Sequence, residues 1–373
     1  MRIGIYTLPL NYNYGGLLQA YALQTTLQRM GHEVTIIDRP LHVKEAWWKR
    51  PREKAKRLVA KYILGKKNVR VFQENYEAQV YPLISRHTDT FIQRYLHRLQ
   101  VSSPTELEAS RFDGLVVGSD QIWRSAFHDS KTKRYDSFLA FAEKWRVKRI
   151  SYAASFGTIE WEYNPVQTQQ CRQLIELFDA VSVREASGVK LCQDHFGVKA
   201  KHVLDPTMLL DAADYETLVK QANVPKSPGS LLVYILDQTA VKTHAVDLLS
   251  AALHLSPFSV NSKADDSFAP IEERIQPSVE QWLCGFMDAE YVITDSFHAC
   301  VFSILFGKPF IVLGNKNRGM ERFVSLLDKF QLQDRLILGE FDGTLPKSDI
   351  RAAQQLVKEL REESKAFLLQ HLK

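Results

Sequence analysis

The sequence predicts an α/β protein of two lobes, each a mostly parallel sheet covered by helices. Short β-branched apolar runs alternate along the chain with amphipathic helical stretches, the pattern of β-α-β units. At 373 residues the chain exceeds what one ordinary core organises. A stretch at 222–229 containing Pro225, Pro228 and Gly229 interrupts the alternation as a linker does. The expected division is a first lobe at 1–221 with a basic helical insertion at about 42–100, a second lobe at 230–345, and a C-terminal helix at 346–373 that returns to the first lobe.

The first lobe opens with a strand over 3–8, the turn Asn11-Tyr-Asn-Tyr-Gly-Gly16, a helix over 17–30 stopped by Gly31, and a strand over 34–38. That is the layout of a nucleotide-type half, although GxGxxG is absent. Gly15 and Gly16 admit close backbone approach to a ligand, or simply make a tight turn; Asn11 and Asn13 add side-chain donors. A helical region over 76–99 follows the insertion. Strands over 115–117, 149–152 and 178–183, and one near 203, each end in a polar cluster: Ser119-Asp120-Gln121, Ser155, Arg184-Glu185 and Asp205. Any one such cluster is what a strand end needs, but the repetition points to a site at one sheet edge. In the second lobe a strand over 231–236, a helix over 240–253, a short strand near 258 and a helix over 279–288 lead to the best-defined unit.

That unit is 289–314. A buried strand over 291–294 meets the capping residues Thr294, Asp295 and Ser296. A helix over 299–306 is ended by Gly307 and Pro309, and a strand over 309–313 follows. Asp295, Ser296, Phe297 and His298 therefore stand at a carboxyl sheet edge, where ligands bind in open α/β sheets and a helix N-terminus favours an anion. Helices over 323–330 and 348–372 complete the chain. Arg184, Lys316, Arg318 and Arg322 sit at strand ends or in the loop after one, and arginine suits phosphate and carboxylate. Tyr12, Tyr14, Trp123 and Trp161 either stack on sugar rings or line the lobes.

With 45% hydrophobic and 24% charged residues, disorder, collagen and coiled coil are excluded. No apolar run reaches the roughly 18 residues of a membrane span, and the chain starts directly on a strand with no signal-peptide pattern. The expected location is cytoplasmic, with contact at the inner membrane face left open. Cys171, Cys192, Cys284 and Cys300 fit no metal spacing and read as buried free thiols. No metal site, P-loop or Gly-x-Ser-x-Gly elbow is visible, which argues against metal-dependent sugar transfer, kinase and hydrolase chemistry. The net charge of +5 is concentrated in Lys44–Lys67, where Trp47, Trp48, Leu58, Val59, Tyr62, Ile63 and Leu64 accompany the cations. The stretch reads either as a solvated basic face packed on the first lobe or as a helix for an anionic membrane or polyanion.

The motifs Asn11-Tyr-Asn-Tyr-Gly-Gly with Gln19-Ala-Tyr-Ala-Leu, Gly118-Ser-Asp-Gln-Ile-Trp, Ser151-Tyr-Ala-Ala-Ser-Phe-Gly, Val181-Ser-Val-Arg-Glu, Val203-Leu-Asp-Pro-Thr and Thr294-Asp-Ser-Phe-His together resemble the polysaccharide pyruvyl transferases. The resemblance covers roughly 1–330 and implies two Rossmann-like lobes in a GT-B-like glycosyltransferase architecture with an interlobe cleft. It implies phosphoenolpyruvate as co-substrate, no cofactor or nucleic acid, and a saccharide acceptor, free or lipid-linked, from an exopolysaccharide, capsule or cell wall. His298, assisted by Asp295, Asp120 or Asp205, is then the expected catalytic group. Arg184, Ser296, Phe297, Lys316 and Arg318 are expected at the donor; Asn13, Tyr14, Gly15, Gly16, Ser119, Gln121, Ser155 and Asp205 at the acceptor. The alternatives are a nucleotide-sugar glycosyltransferase on the same fold and a non-catalytic carbohydrate-binding protein.

Overall fold

The structure, a computed structural model, describes residues 1–39, 51–66, 68–128, 131–314 and 319–373. Two five-stranded parallel sheets carry it. In the first, β1 (Arg2–Tyr6), β2 (Glu33–Asp38), β3 (Arg98–Gln100), β4 (Gly114–Val117) and β5 (Lys148–Ser151) lie in the order β3-β2-β1-β4-β5. This is the Rossmann-half order, whose switch point lies between β1 and β4. Short strands β6 (Ser182–Val183) and β7 (Lys201–His202) pair with each other and continue from β5 through bridges at Ile150–Ala180 and Ala154–Val183. In the second sheet, β8 (Leu231–Tyr234), β9 (Pro257–Phe258), β10 (Tyr291–Thr294), β11 (Phe310–Leu313) and β12 (Leu336–Ile337) run β12-β11-β10-β8-β9, all parallel. Taken in chain order that is the flavodoxin-like doubly wound arrangement, with its switch point between β8 and β10.

Every residue of β4, β8, β10 and β11 is buried, because helices cover both faces of a parallel sheet. This is why those strands read as continuous apolar runs. The expected helix over 76–99 is instead two helices, Gln73–Ile84 and Arg86–Tyr95, followed by β3. Three residues on a sheet edge are too few to show an alternation. The strand expected over 178–183 shrinks to Ser182–Val183. Helix Pro165–Ile175 was not anticipated, although Asn164 and Gln167 cap each other's backbone amides there, a signal present in the residues.

The lobes share a core: residues of β1 and of helix Tyr14–Arg29 join one buried cluster with Trp282, Phe302 and Phe367. Tyr14 stacks on Trp282 and donates its hydroxyl toward Gln276 Oε1 (2.9 Å) and the Pro277 carbonyl (2.8 Å). The C-terminal helix Ile350–His371 reaches the first lobe, where Arg361 Nε donates to the Met208 carbonyl (2.7 Å) and Ser364 Oγ accepts from the Leu204 amide (3.1 Å). The four cysteines are buried free thiols. Among the described residues no helix is long and apolar enough to cross a membrane.

Candidate active site

The carboxyl edges of the two sheets face each other, and a cavity of about 430 Å³ opens where the two switch points meet. From the first lobe come Leu8, Pro9, Asn11 and Asn13 after β1, then Asp120, Gln121 and Phe127 after β4. From the second come Leu236 after β8, Asp295 to His298 after β10, and Arg322. The volume lies in the range of small-molecule sites.

His298 is the second residue of helix Phe297–Leu305 and is nearly enclosed, at 7% exposure. Its ring lies against the first lobe at Gly15. A Cβ placed on that glycine would stand 2.0 Å from Nδ1, so no other residue fits unless the imidazole moves. Its Nε2 is buried with no hydrogen-bond partner among the described residues and lies 3.8 Å from Asp205 Oδ2. Burial lowers the imidazole's pKa, Asp205 and Asp120 work to raise it, and Arg184 and Arg322 lower it again; the balance is below the ordinary value. The free protein therefore holds His298 neutral near pH 7.

Beneath this lies an ionic cluster. Arg184, buried, donates to Asp205 Oδ2 (2.9 Å), Glu185 Oε1 (3.1 Å) and Asp120 Oδ1 (3.4 Å). Burial works to lower its pKa, but the three carboxylates outweigh that and keep it above its ordinary value. Burial likewise opposes ionisation of Asp120 and Asp205, and the surrounding cations still hold both below the usual range. Arg322 is the contrasting guanidinium: it reaches the cavity, and burial together with Arg184 lowers its pKa to about 10. Both guanidiniums lie near the Phe297 ring, with carbons 4.5 Å (Arg184) and 5.6 Å (Arg322) from its centroid.

The structure brings together Asn13, Asp120, Gln121, Asp295, Ser296, Phe297 and His298 of the sequence candidates. Several others have different work. Arg184 lines no part of the cavity, because its donors are taken by carboxylates. Asp205 faces Arg184, Thr207 and His298 rather than the cavity. Ser119 is sealed, its amide donating to Gln19 Oε1 (2.9 Å) and its hydroxyl to the Ala153 carbonyl (2.7 Å). Ser155 donates to Glu185 Oε1 (2.7 Å). Tyr14 bridges the lobes, Gly15 seats the imidazole, and the Gly16 amide is capped by Asn13 Oδ1 (3.3 Å). Asp295 accepts from the Leu236 amide (2.7 Å), the Asp237 amide (3.1 Å) and Lys242 Nζ (2.6 Å), which anchors the loop after β8. Gln121 also accepts from Arg124 (2.9 Å). Trp123 is enclosed against Phe138, and Trp161 stacks on His195. Lys316 and Arg318 lie outside the described residues. Sequence reasoning missed the apolar wall of Leu8, Pro9, Phe127 and Leu236, because it searched strand ends for polar groups only.

Two parallel α/β lobes meeting at their switch points, with a buried imidazole between carboxylates and guanidiniums, define a two-Rossmann-lobe cleft protein of the GT-B-like kind. The chain belongs to the polysaccharide pyruvyl transferase family, whose profile matches residues 13–317, and thus to a family of pyruvyl-transferring enzymes. A search of curated proteins by sequence returns no match. Similar solved structures include a UDP-GlcNAc 2-epimerase from Neisseria meningitidis bound to UDP-GlcNAc (10% identity, covering 100% of this chain and 99% of that one, TM-score 0.49). Another is UGT89C1 from Arabidopsis thaliana complexed with UDP-L-rhamnose (11% identity, 98% and 94% covered, TM-score 0.47). At these scores the likeness carries no argument, and the fold stands on its own sheet topology.

Proposed function

We propose that the cleft transfers the pyruvyl group of phosphoenolpyruvate onto two hydroxyls of a saccharide, forming a pyruvate ketal, with His298 as the proton donor. The observation that carries this reading is the meeting of both switch points on one buried imidazole whose Nε2 has no hydrogen-bond partner among the described residues. His298 protonates the methylene carbon C3 of the enol phosphate, giving an oxocarbenium-like centre at C2. One sugar hydroxyl attacks C2, the C2–O bond to phosphate breaks, and the second hydroxyl closes the ring. Of the two protons those hydroxyls release, one replaces the proton delivered to the methyl group and the other leaves with phosphate.

The charge balance decides when His298 is ready. The helix N-terminus disfavours imidazolium by about 0.3–1 kcal/mol, and burial acts in the same direction. One anionic charge of the donor about 4 Å away favours it by roughly 4 kcal/mol at an effective dielectric near 20. Donor binding therefore pushes the imidazole toward the protonated form that burial disfavours in the free protein. Arg322 and the amides opening helix Phe297–Leu305 receive the donor's anionic groups. With a neutral imidazole, the described cluster of Arg184, Arg322, Asp120, Glu185 and Asp205 sums to one negative charge, so a multiply anionic donor calls for further cations. Lys316 and Arg318, next to this site in sequence, are assigned to that task. Asn13 and Gln121, which line the cavity, are assigned to the acceptor hydroxyls.

The test is incubation with phosphoenolpyruvate and candidate lipid-linked or free saccharides, read by phosphate release and by mass spectrometry of the acceptor. A pyruvate adduct is expected. Thermal stabilisation by UDP-sugars and none by phosphoenolpyruvate overturns the reading in favour of sugar transfer.

A further inference from the structure

Helix Pro51–Leu58 runs into a wide helical turn, Val59–Ile63, and the side chains there face outward. Leu58 (46%), Val59 (45%), Tyr62 (72%), Ile63 (75%) and Leu64 (63%) are all exposed within seven consecutive residues. The other large exposed hydrophobics of the described residues occur singly along the chain. Isolated ones are ordinary, but a contiguous set marks an interaction surface. Of the apolar residues singled out in this stretch, Leu58, Val59, Tyr62, Ile63 and Leu64 are thus uncovered, while Trp47 and Trp48 lie outside the described residues.

The same segment is strongly basic. Arg52, Lys54, Lys56, Arg57, Lys61 and Lys66 stand against Glu53 alone, a net charge equal to the +5 of the whole chain. From the neighbouring residues, Arg57 pairs with Glu74 (2.8 Å), and Lys54 is buried and lies 5.9 Å from the Phe72 ring; within the segment, Lys61 lies 5.6 Å from the Tyr62 ring. Arg52, Lys56, Lys61 and Lys66 are exposed. The following helix Gln73–Ile84 is firmly held at the cleft. Val80 and Ile84 pack with Ala264, the Gln276 amide donates to the Ile84 carbonyl (3.0 Å), and Arg274 pairs with Glu77 (3.2 Å). The basic apolar segment therefore projects from a fixed base that touches both lobes.

We propose that residues 51–66 dock the protein onto an anionic lipid bilayer. Leu58, Tyr62, Ile63 and Leu64 enter the headgroup–acyl boundary while Arg52, Lys56, Lys61 and Lys66 lie at the lipid phosphates. Cations alone would suit any polyanion, and the apolar residues alone would suit a second copy of the chain. Hydrocarbon and phosphate are needed together within one or two helical turns, and a bilayer surface supplies both. The surface lies apart from the cavity, and the proposal does not depend on the chemistry assigned there.

The test is co-sedimentation of the full chain with phosphatidylcholine vesicles with and without phosphatidylglycerol. Binding is expected only to the anionic vesicles, and it should fall with added salt. Lys56→Glu with Lys61→Glu, and separately Ile63→Glu with Leu64→Glu, should each weaken it by about tenfold or more without moving thermal unfolding, since these side chains are exposed. His298→Ala should bind vesicles as the parent does while losing transfer, so a failure of the active-site reading is separable from a failure of this one. The proposal is overturned by three outcomes: no binding to anionic vesicles at low salt; equal binding to heparin or duplex DNA with no loss on Ile63→Glu/Leu64→Glu; or a solution dimer that this pair dissolves in the absence of vesicle binding.

Discussion

The first lobe's edge presents carboxylates: Asp120 after β4, Glu185 after β6 and Asp205 after β7, all gathered on Arg184 at 2.9–3.4 Å. The second lobe's edge presents the imidazole of His298 and the guanidinium of Arg322 to the cavity, and its lining acid Asp295 is held by Lys242 at 2.6 Å. Arg184 is held at the first edge by that edge's own carboxylates, whereas at the second edge His298 Nε2 has no hydrogen-bond partner among the described residues. Two guanidiniums of one cleft thus do different work. Arg184 is spent on carboxylates and sets the electrostatics, while Arg322 lines the cavity with His298 and with Asn13 and Gln121 of the first lobe.

The strongest way to break this picture is His298→Ala, for which a loss of about 10²–10⁴-fold in pyruvyl transfer is expected from removal of a general acid, with a folded protein by circular dichroism. Next comes Gly15→Ala, which forces a methyl group 2.0 Å from the ring nitrogen. Transfer should fall by a comparable factor and thermal stability should drop. In the His298→Ala background the same change should be neutral or stabilising by up to about 1 kcal/mol, because alanine favours the helix once the clash is gone. Retained destabilisation in that double variant would place the cost elsewhere than the imidazole.

The two arginines sharpen the comparison further. Arg184→Met leaves three buried carboxylates facing one another and should cost about 3–5 kcal/mol of stability, read as a lower denaturation midpoint. Arg322→Met should leave the midpoint closer to the parent and raise KM for phosphoenolpyruvate by about 10–100-fold, the worth of one charge-assisted contact. The smallest effect is expected from Asp205→Asn, read as a pH profile. Asp205 raises the imidazole's pKa, so its removal makes the proton acid leave at lower pH. The alkaline limb of kcat should then move down by about one unit; an upward or absent shift would remove Asp205 from the electrostatics of His298.

The position of His298 was legible because every feature that places it is local: a β-branched strand, a capping cluster, an apolar helix and the Gly307–Pro309 stop. The alternating strands of both lobes were legible for the same reason, since burial of a parallel sheet on both faces writes itself into short apolar runs. The carboxylate partners of Arg184 were not legible, because an arginine after an apolar strand looks the same whether it faces a substrate or carboxylates brought in by other loops. The partner of Asp295 was hidden likewise, since Lys242 lies on a separate helix.

The sequence by itself determined most of the strands and helices, and hence that His298 stands where a strand hands over to a helix, because those preferences arise from backbone geometry and side-chain burial over a few neighbouring residues. Only the tertiary structure decided that Gly15 makes room for the imidazole, that Arg184 is consumed by Asp120, Glu185 and Asp205, and that the apolar side chains of 58–64 remain uncovered. Those outcomes depend on contacts between residues remote in the chain, and packing and charge neutralisation settle them only once the lobes have met.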